Sequence, residues 1–475
     1  MVGASSAHQR SDALVARLDR LPMSRYVVGL IVMLALGGAF ELYDLTLTGT
    51  LVPALVRAGI FQADRRGVFG MADQASFASV TFAGLFIGTA LFAPLGDRIG
   101  RRLTFAASLV WYTIFGVIMA LQNSVAGIEA ARFVAGIGIG VQLVTLDSYV
   151  AELAPKMHRG KAFAISQSIQ FLGVPCAAIA SAALLTRSPF GFDGWRWVAA
   201  LPVLALVVAA AIYRFVPESP RWLADHGRID EAEAVAAQID RRASGAANGT
   251  PPRAHHGTES SVAPGGLGMM WQPPYRQRTV MLVVYNIFQA AGFFGFTNWV
   301  PTLLAAQGIA ITKSLVYTGL IALLYPICPI VFTVFADRVE RKWQLVIAAA
   351  GMAVFGLLFA TQRSPGALIA LGALVTLFGT LLSYSGHAYQ SELYPTSIRA
   401  RAVGLVYSFS RLSPIFTSFV IGALLRDFGA TGVFVFIASS MGVVIAAVGV
   451  FGPRTSGLAL EQISPAVPQA AGGMA

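Results

Sequence analysis

The stretch YVAELAPKMHRGKA (149–162) returns later in the chain as YQSELYPTSIRARA (389–402). Tyr149/Tyr389, Glu152/Glu392, Leu153/Leu393, Pro155/Pro395, Arg159/Arg399 and Ala162/Ala402 are all 240 residues apart. A second pair keeps the same offset: GDRIGRR (96–102) and ADRVERK (336–342) place Asp97 240 residues before Asp337. Two separate motifs at one offset mark a duplicated unit. Each motif closes a long apolar block, so the repeating unit is a set of apolar spans.

The composition agrees. Of 475 residues, 56% are hydrophobic and 12% charged, against about 25% charged in soluble chains. With a mean hydropathy of +0.67, a water-soluble enzyme is excluded. A helix needs about 20 apolar residues to cross a bilayer. Stretches free of Asp, Glu, Lys and Arg reach that length at 74–96, 103–128, 162–186, 314–336, 343–362, 364–391 and 428–453. The stretch 279–312 is longer than a span, and 197–213 extends through Arg214. Blocks 26–52, 125–151 and 402–425 are interrupted by charge. The reading is an all-α membrane protein with twelve transmembrane helices in two six-helix bundles. No strand alternation supports a barrel.

Of the 34 Lys and Arg, 23 fall in loops on the side of the N-terminus and 8 on the other. Both termini are therefore expected to be cytoplasmic, in a multi-pass inner-membrane protein. Clustered between apolar blocks, these charges argue for topology and against nucleic acid. Residues 1–217 form the first bundle with its tail, and 278–452 the second. Between them, 218–277 holds a surface helix (225–243) and a flexible linker; 453–475 is a tail. No apolar core precedes the first long block, so no cleavable signal is read. Cys176 and Cys328 lie inside apolar blocks as small packing residues. No metal-ligand spacing, GxxxxGK[ST], HExxH or GxSxG occurs. The expectation is no cofactor, no metal and no enzyme activity, with Gly136, Gly138 and Gly140 serving close helix packing.

Parallel repeats of six helices build transporters with a mid-membrane site between the halves. At this point the chain resembles the major facilitator superfamily over its whole apolar length. GDRIGRR resembles that superfamily's signature between spans 2 and 3, with Ala93 where a glycine is usual. Arg132 followed by GIGIG (136–140), YVAELAP…RG (149–160), GWRW (194–197) and PESPRWL (217–223) resemble its sugar-porter and organic-ion branches. The resemblance implies a secondary transporter working by alternating access.

Charges at helix ends on one side suit a gate that pairs when that face closes. Asp97, Arg98, Arg102, Glu152, Arg159, Glu218 and Arg221 form it in the first half, and Asp337, Arg341, Glu392 and Arg399 repeat it. The plain alternative is topology signalling by solvated charges. Charges inside spans are costly and mark function. Glu41 and Asp44 lie in span 1, Arg132 and Asp147 in span 4, Arg411 in span 11; Glu129 sits at the outer end of span 4, within reach of water. At ~1.5 Å per residue, Asp44 and Arg132 sit about 7 and 9 Å outward of the midplane. The resemblance implies that such a pair couples protons to transport; the alternative is a static ion pair. Glu41 shares the face of Asp44, as a second proton carrier or a cavity-lining group. Asp147, about 13 Å inward, is expected to be structurally paired, and His387 to be a hydrogen-bonded histidine.

Span 7 reads YNIFQAAGFFGFTNWVP (285–301). It keeps Gln289 and Asn298 but sets Phe293, Phe294, Phe296 and Trp299 around them. Such a site suits a flat organic molecule better than a sugar, unless these rings face lipid. Arg411, within about 4 Å of the midplane, suits a carboxylate ligand. The expected function is proton-coupled uptake of a small organic anion by a monomer in the bilayer. Its partners are a small-molecule substrate, the proton and lipid. A sugar porter, a proton antiporter exporting organic compounds, and a transport-dead sensor are the alternatives.

Overall fold

In the computed structural model, residues 10, 13–14, 17, 19, 23–62, 73–92, 94–155, 158–244, 267–335, 339–395 and 398–455 are described. Among them every regular element is helical. The first half runs α1 (Arg25–Thr50), α2 (Val52–Arg57), α3 (Asp73–Ile87), α4 (Pro94–Ile99), α5 (Arg101–Ala120), α6 (Val125–Leu153), α7 (Arg159–Phe171), α8 (Gly173–Leu184), α9 (Gly194–Ala200) and α10 (Ala205–Phe215). The connection holds α11 (Pro220–Asp225) and α12 (Ile229–Ser244). The second half runs α13 (Tyr275–Thr297), α14 (Val300–Ala306), α15 (Ile311–Ala322), α16 (Cys328–Phe335), α17 (Arg341–Thr361), α18 (Pro365–Glu392) and α19 (Arg399–Phe451).

Serine begins several of these helices. Ser24, Ser124, Ser219 and Ser364 each accept from the backbone N–H three residues on, satisfying a donor the helix leaves unpaired. Nine helical stretches among the described residues, with α7–α8 and α9–α10 each running on as one, are long and apolar enough to cross a membrane. The other apolar stretches are broken for local reasons. A five-residue π-helical turn at Gly88–Phe92 follows α3. α15 and α16 are separated by a turn holding Pro326, whose missing N–H interrupts the helical ladder. The long α19 is two helices joined at Gly429, whose φ of 66° is a conformation glycine adopts freely.

The buried cores follow the two halves. One cluster draws on residues 270–448 and takes only Ala75 from the first half. A second lies wholly within residues 14–239, and a third takes only Leu315 from the second half. Within halves α5 packs on α6, α3 on α6, α13 on α19 and α17 on α18; between halves α3 meets α19 and α8 meets α15. The α3–α6 seam is built on glycine: Gly84 and Gly88 sit against Gly136 and Gly140, about where any Cβ would strike a facing main-chain carbonyl. Gly140→Val is therefore expected to destabilise the protein by about 1–3 kcal/mol, read as a lower melting temperature in detergent. Gly29→Ala, where a Cβ meets nothing within 4 Å, should leave it unchanged or raise it.

Candidate functional site

A cavity of ≈ 560 Å³ lies between the halves. α1 contributes Leu42 and Leu45, α6 Leu143 and Asp147, and α7 Gly160, Phe163, Gln167, Gln170 and Phe171. α13 contributes Tyr285, Asn286, Gln289, Phe293 and Phe294; α18 Ser383, Tyr384, His387, Ala388, Gln390 and Ser391; α19 Tyr407, Ser410 and Arg411. The lining reaches Gly160 and Ser391, at the helix ends that carry the basic loops. At the opposite end the halves touch. Gln74 Nε2 donates to Thr302 Oγ1 at 2.8 Å, and Ser79 Oγ to the Ile415 carbonyl at 2.8 Å. Gly49 lies against the Asn298 carbonyl and Gly422 against Ala75.

The 240-residue repeat runs through this cavity. Leu45/Tyr285, Leu143/Ser383, Asp147/His387, Gln167/Tyr407, Gln170/Ser410 and Phe171/Arg411 are six lining pairs at that offset. Projecting the repeat onto the inward faces of α6 and α7 would have found the lining residues that single-span reading missed. Gln289, Phe293 and Phe294 do line the cavity. Asn298 and Trp299 do not, contrary to expectation, because α13 ends at Thr297 and its cavity-facing stripe ends with it. Trp299 instead enters the second-half core, with its ring near Gly422, and Phe296 packs on Phe359 and Phe434.

Arg411 is 8% exposed. Its Nη2 donates to Tyr407 Oη at 2.5 Å, and its guanidinium lies over the Phe294 and Tyr407 rings at 5.9 and 4.9 Å. Among the described residues Nε has no hydrogen-bond partner, and no carboxylate lies within 4.0 Å. Asp147, expected to be structurally paired, instead opens into the cavity with no ion pair among the described residues. His387 is likewise exposed there, its ring 4.8 Å from that of Tyr407.

Asp44 and Arg132 meet out of reach of the cavity. Arg132 Nη1 lies 2.5 Å from Asp44 Oδ2; Nη2 donates to the Asp44 carbonyl at 2.6 Å and Thr48 Oγ1 at 2.9 Å; Nε donates to Thr81 Oγ1 at 3.1 Å. Both residues are at most 1% exposed. Asp44 Oδ1 and both carboxylate oxygens of Glu41 have no hydrogen-bond partner among the described residues. Glu41 is buried behind the cavity wall, within the field of Arg411, Asp147 and Asp44. Glu129, expected within reach of water, is buried at 4% exposure.

At the basic end, Arg101 organises the first half. It pairs with Asp97 at 2.6 Å and Glu152 at 3.0 Å. Glu218 accepts from the backbone N–H of Arg101 and Arg102 at 2.9 and 3.1 Å, offsetting two cations at the positive end of the α5 dipole. Gly100, at φ 111°, passes so close to Glu218 that a side chain would displace it. Arg221 donates to the Glu152 carbonyl at 3.1 Å and to Asp19 at 2.5 Å; Arg159 lies 3.7 Å from Asp19. In the second half Arg341 pairs with Glu392 at 2.6 Å, the Arg101–Glu152 pair displaced by 240 residues. Tyr149 donates to the Pro217 carbonyl and Tyr389 to that of Pro453, so both halves tie two helix ends alike. Sequence reading missed Arg101 and Asp19. It also included Arg98, which is exposed and unpaired among the described residues, and Arg102, which stacks on Tyr213 rather than on an acid. Asp337 and the Arg399 side chain lie outside the described residues. Further out, Arg10 pairs with Asp230 and Glu233. Its hydrogen bonds hold the Glu233 carboxyl below the usual range, so this contact is complete at neutral pH and is lost as pH falls through that lowered value.

Glu152→Gln removes the half-buried acceptor of Arg101. The expected loss is about 1 kcal/mol, or about fivefold in transport rate, with apparent affinity moved less. Glu392→Gln should behave alike. Asp97→Asn should cost less, since Asp97 is 68% exposed. Uptake rates unchanged in all three would assign these charges to topology alone.

A profile of the family described as sugar (and other) transporter matches residues 30–467. YyaJ of Bacillus subtilis, named for metabolite transport, is 30% identical over 452 residues, covering 95% of this chain and 97% of its own. The niacin transporter NiaP of Acinetobacter baylyi is 26% identical over 451 residues, covering 95% and 99%. Among solved structures, the xylose transporter XylE from Escherichia coli, in a partially occluded inward open conformation, has a TM-score of 0.71 at 22% identity. That match covers 92% of this chain and 100% of the other, and it shows a shared fold.

Proposed function

We propose, from the premise that this chain belongs to the sugar (and other) transporter family of the major facilitator superfamily, that it takes up a small organic carboxylate together with a proton. The chain is a membrane transporter and not an enzyme. The proposal adds the following. Residues 1–217 and 278–452 form two bundles of six spans, joined by 218–277, with both termini and the tail 453–475 cytoplasmic. The membrane is the cell inner membrane and the working unit a monomer. On that topology the cavity opens to the cytoplasm and is closed on the outer side.

The observation that carries the substrate reading is Arg411: a nearly buried guanidinium, flanked by two aromatic rings, lining the cavity without a carboxylate partner among the described residues. Burying such a charge is costly unless a ligand offsets it. A planar carboxylate matches its geometry, and Phe293, Phe294 and Phe171 supply apolar surface for an organic body. The name of the niacin transporter points the same way, since niacin is an aromatic carboxylate. The carboxamides of Gln167, Gln170, Asn286 and Gln289 favour the second reading, a hydroxylated neutral ligand such as a sugar.

Asp44 and Arg132 form the coupling pair. Protonation of Asp44 releases Arg132 and changes the balance between outward- and inward-facing states. Glu41 is the second candidate carrier. Uptake of labelled benzoate and xylose into proteoliposomes, with and without an inward proton gradient, tests the whole reading. Benzoate accumulation that needs the gradient is expected. Accumulation of xylose alone would replace the carboxylate with a sugar, and equal accumulation without a gradient would remove the proton.

A further inference from the structure

The cavity is built twice from one pattern, yet its two walls differ in charge. At the six lining positions related by the repeat, the first half contributes one acid, Asp147, and no base. The second half contributes Arg411, and His387 where the first half has Asp147. Asp147 opens into the cavity and Arg411 lines it, and among the described residues neither has an oppositely charged group within 4.0 Å. Arg411 nevertheless lies close enough to act on Asp147 through space. Two opposite charges that share one cavity and do not pair leave a position for a ligand bearing the complementary two.

We infer that the substrate is a zwitterion, with its carboxylate on Arg411 and a protonated nitrogen on Asp147. The inference rests on the carboxylate reading above and narrows it. Charge balance supports it. A carboxylate alone neutralises Arg411 and leaves Asp147, which faces the same cavity with no ion pair among the described residues, without a counter-charge on the ligand. An ammonium or pyridinium N–H donates to Asp147 in a charge-assisted hydrogen bond, which is about twice as strong as a neutral one. A neutral hydroxyl at the same place would form a hydrogen bond without restoring the balance. Gln167 and Gln289, which have no hydrogen-bond partner among the described residues, can serve polar groups between the two ends. Glu41 cannot replace Asp147 here, because it is fully buried and does not line the cavity.

The test uses the full-length transporter in lipid nanodiscs and three probes: 4-(aminomethyl)benzoate, 4-(hydroxymethyl)benzoate and benzoate, with a series of ω-amino acids to scan the spacing. The best zwitterion is expected to bind at least tenfold more tightly than benzoate, and more tightly than the hydroxyl analogue. In Asp147→Asn that ratio should fall toward one; in Asp147→Glu part of it should return. Circular dichroism and thermal unfolding verify that each variant is folded. Equal affinity for zwitterion and benzoate in the wild type overturns the inference and leaves the carboxylate reading intact. So does a preference that survives Asp147→Asn, or a hydroxyl analogue that binds as well as the amine. If none of the carboxylates binds the folded wild type, the carboxylate reading itself falls, and the inference with it.

Discussion

Asp44→Asn is expected to abolish gradient-driven accumulation, bringing the inside-to-outside ratio to about one, while substrate exchange across the membrane continues. Asp44 is the only carboxylate that contacts Arg132 among the described residues, at 2.5 Å, and both are at most 1% exposed. Asparagine has nearly the same shape but cannot take up and release a proton. Breaking a buried pair by removing one partner costs about 3–5 kcal/mol in general. Here the loss is limited, because Arg132 keeps the main-chain carbonyl of residue 44, Thr48 and Thr81 as acceptors. The variant should therefore fold with a lowered melting temperature and still carry substrate both ways. Arg132→Ala should destabilise more, since it removes all four of those bonds and the cation over Phe77. Counterflow and gradient-driven uptake measured on the same vesicles separate the two effects. Undiminished accumulation by Asp44→Asn would move the coupling to Glu41.

Arg411→Ala should weaken carboxylate binding by roughly tenfold or more, because a hydrogen bond to a charged group contributes about 1.5–3 kcal/mol. Stability should respond differently. Arg411 is nearly buried and pairs with no acid among the described residues, and such a charge costs roughly 2.5–3.5 kcal/mol at the centre of a membrane helix. Its removal relieves that cost, and the lost bond to Tyr407 returns only part of it. The melting temperature without ligand should thus hold or rise while affinity falls. Arg411→Lys should restore the charge but not the planar fork, and recover binding in part. Titration calorimetry and thermal unfolding on one preparation provide both readings. Normal carboxylate binding by Arg411→Ala would end the carboxylate reading.

Much of the site's chemistry was legible residue by residue. Asp44 and Arg132 could be matched because depth in a membrane helix scales with residue number, and opposite charges at equal depth have reason to meet. Arg411 stood out because charge is rare inside an apolar span. Asn298 and Trp299 misled, because the end of α13 is decided by packing: the Asn298 carbonyl lies against Gly49 of α1, and no local pattern in 285–301 announces that contact. Arg101 was passed over among the three basic residues at 98, 101 and 102, since only the approach of α6 decides which one reaches Glu152. Asp19 belongs to a tail with no apolar periodicity, and its role depends on Arg221, 202 residues away.

By itself the sequence determined that the chain is a duplicated helical membrane protein. Apolar length, the side on which Lys and Arg gather and the 240-residue offset are properties of the chain that need no partner. Which residues share the cavity was decided only by the tertiary structure, because its wall is assembled from α1, α6, α7, α13, α18 and α19. A span shows which residues are costly in lipid, but its rotation against neighbouring helices is set by contacts such as those of Gly88 with Gly140. That rotation turns Asp147 into the cavity and keeps Glu41 behind its wall, and it leaves Arg411 facing a space where a ligand can offset its charge.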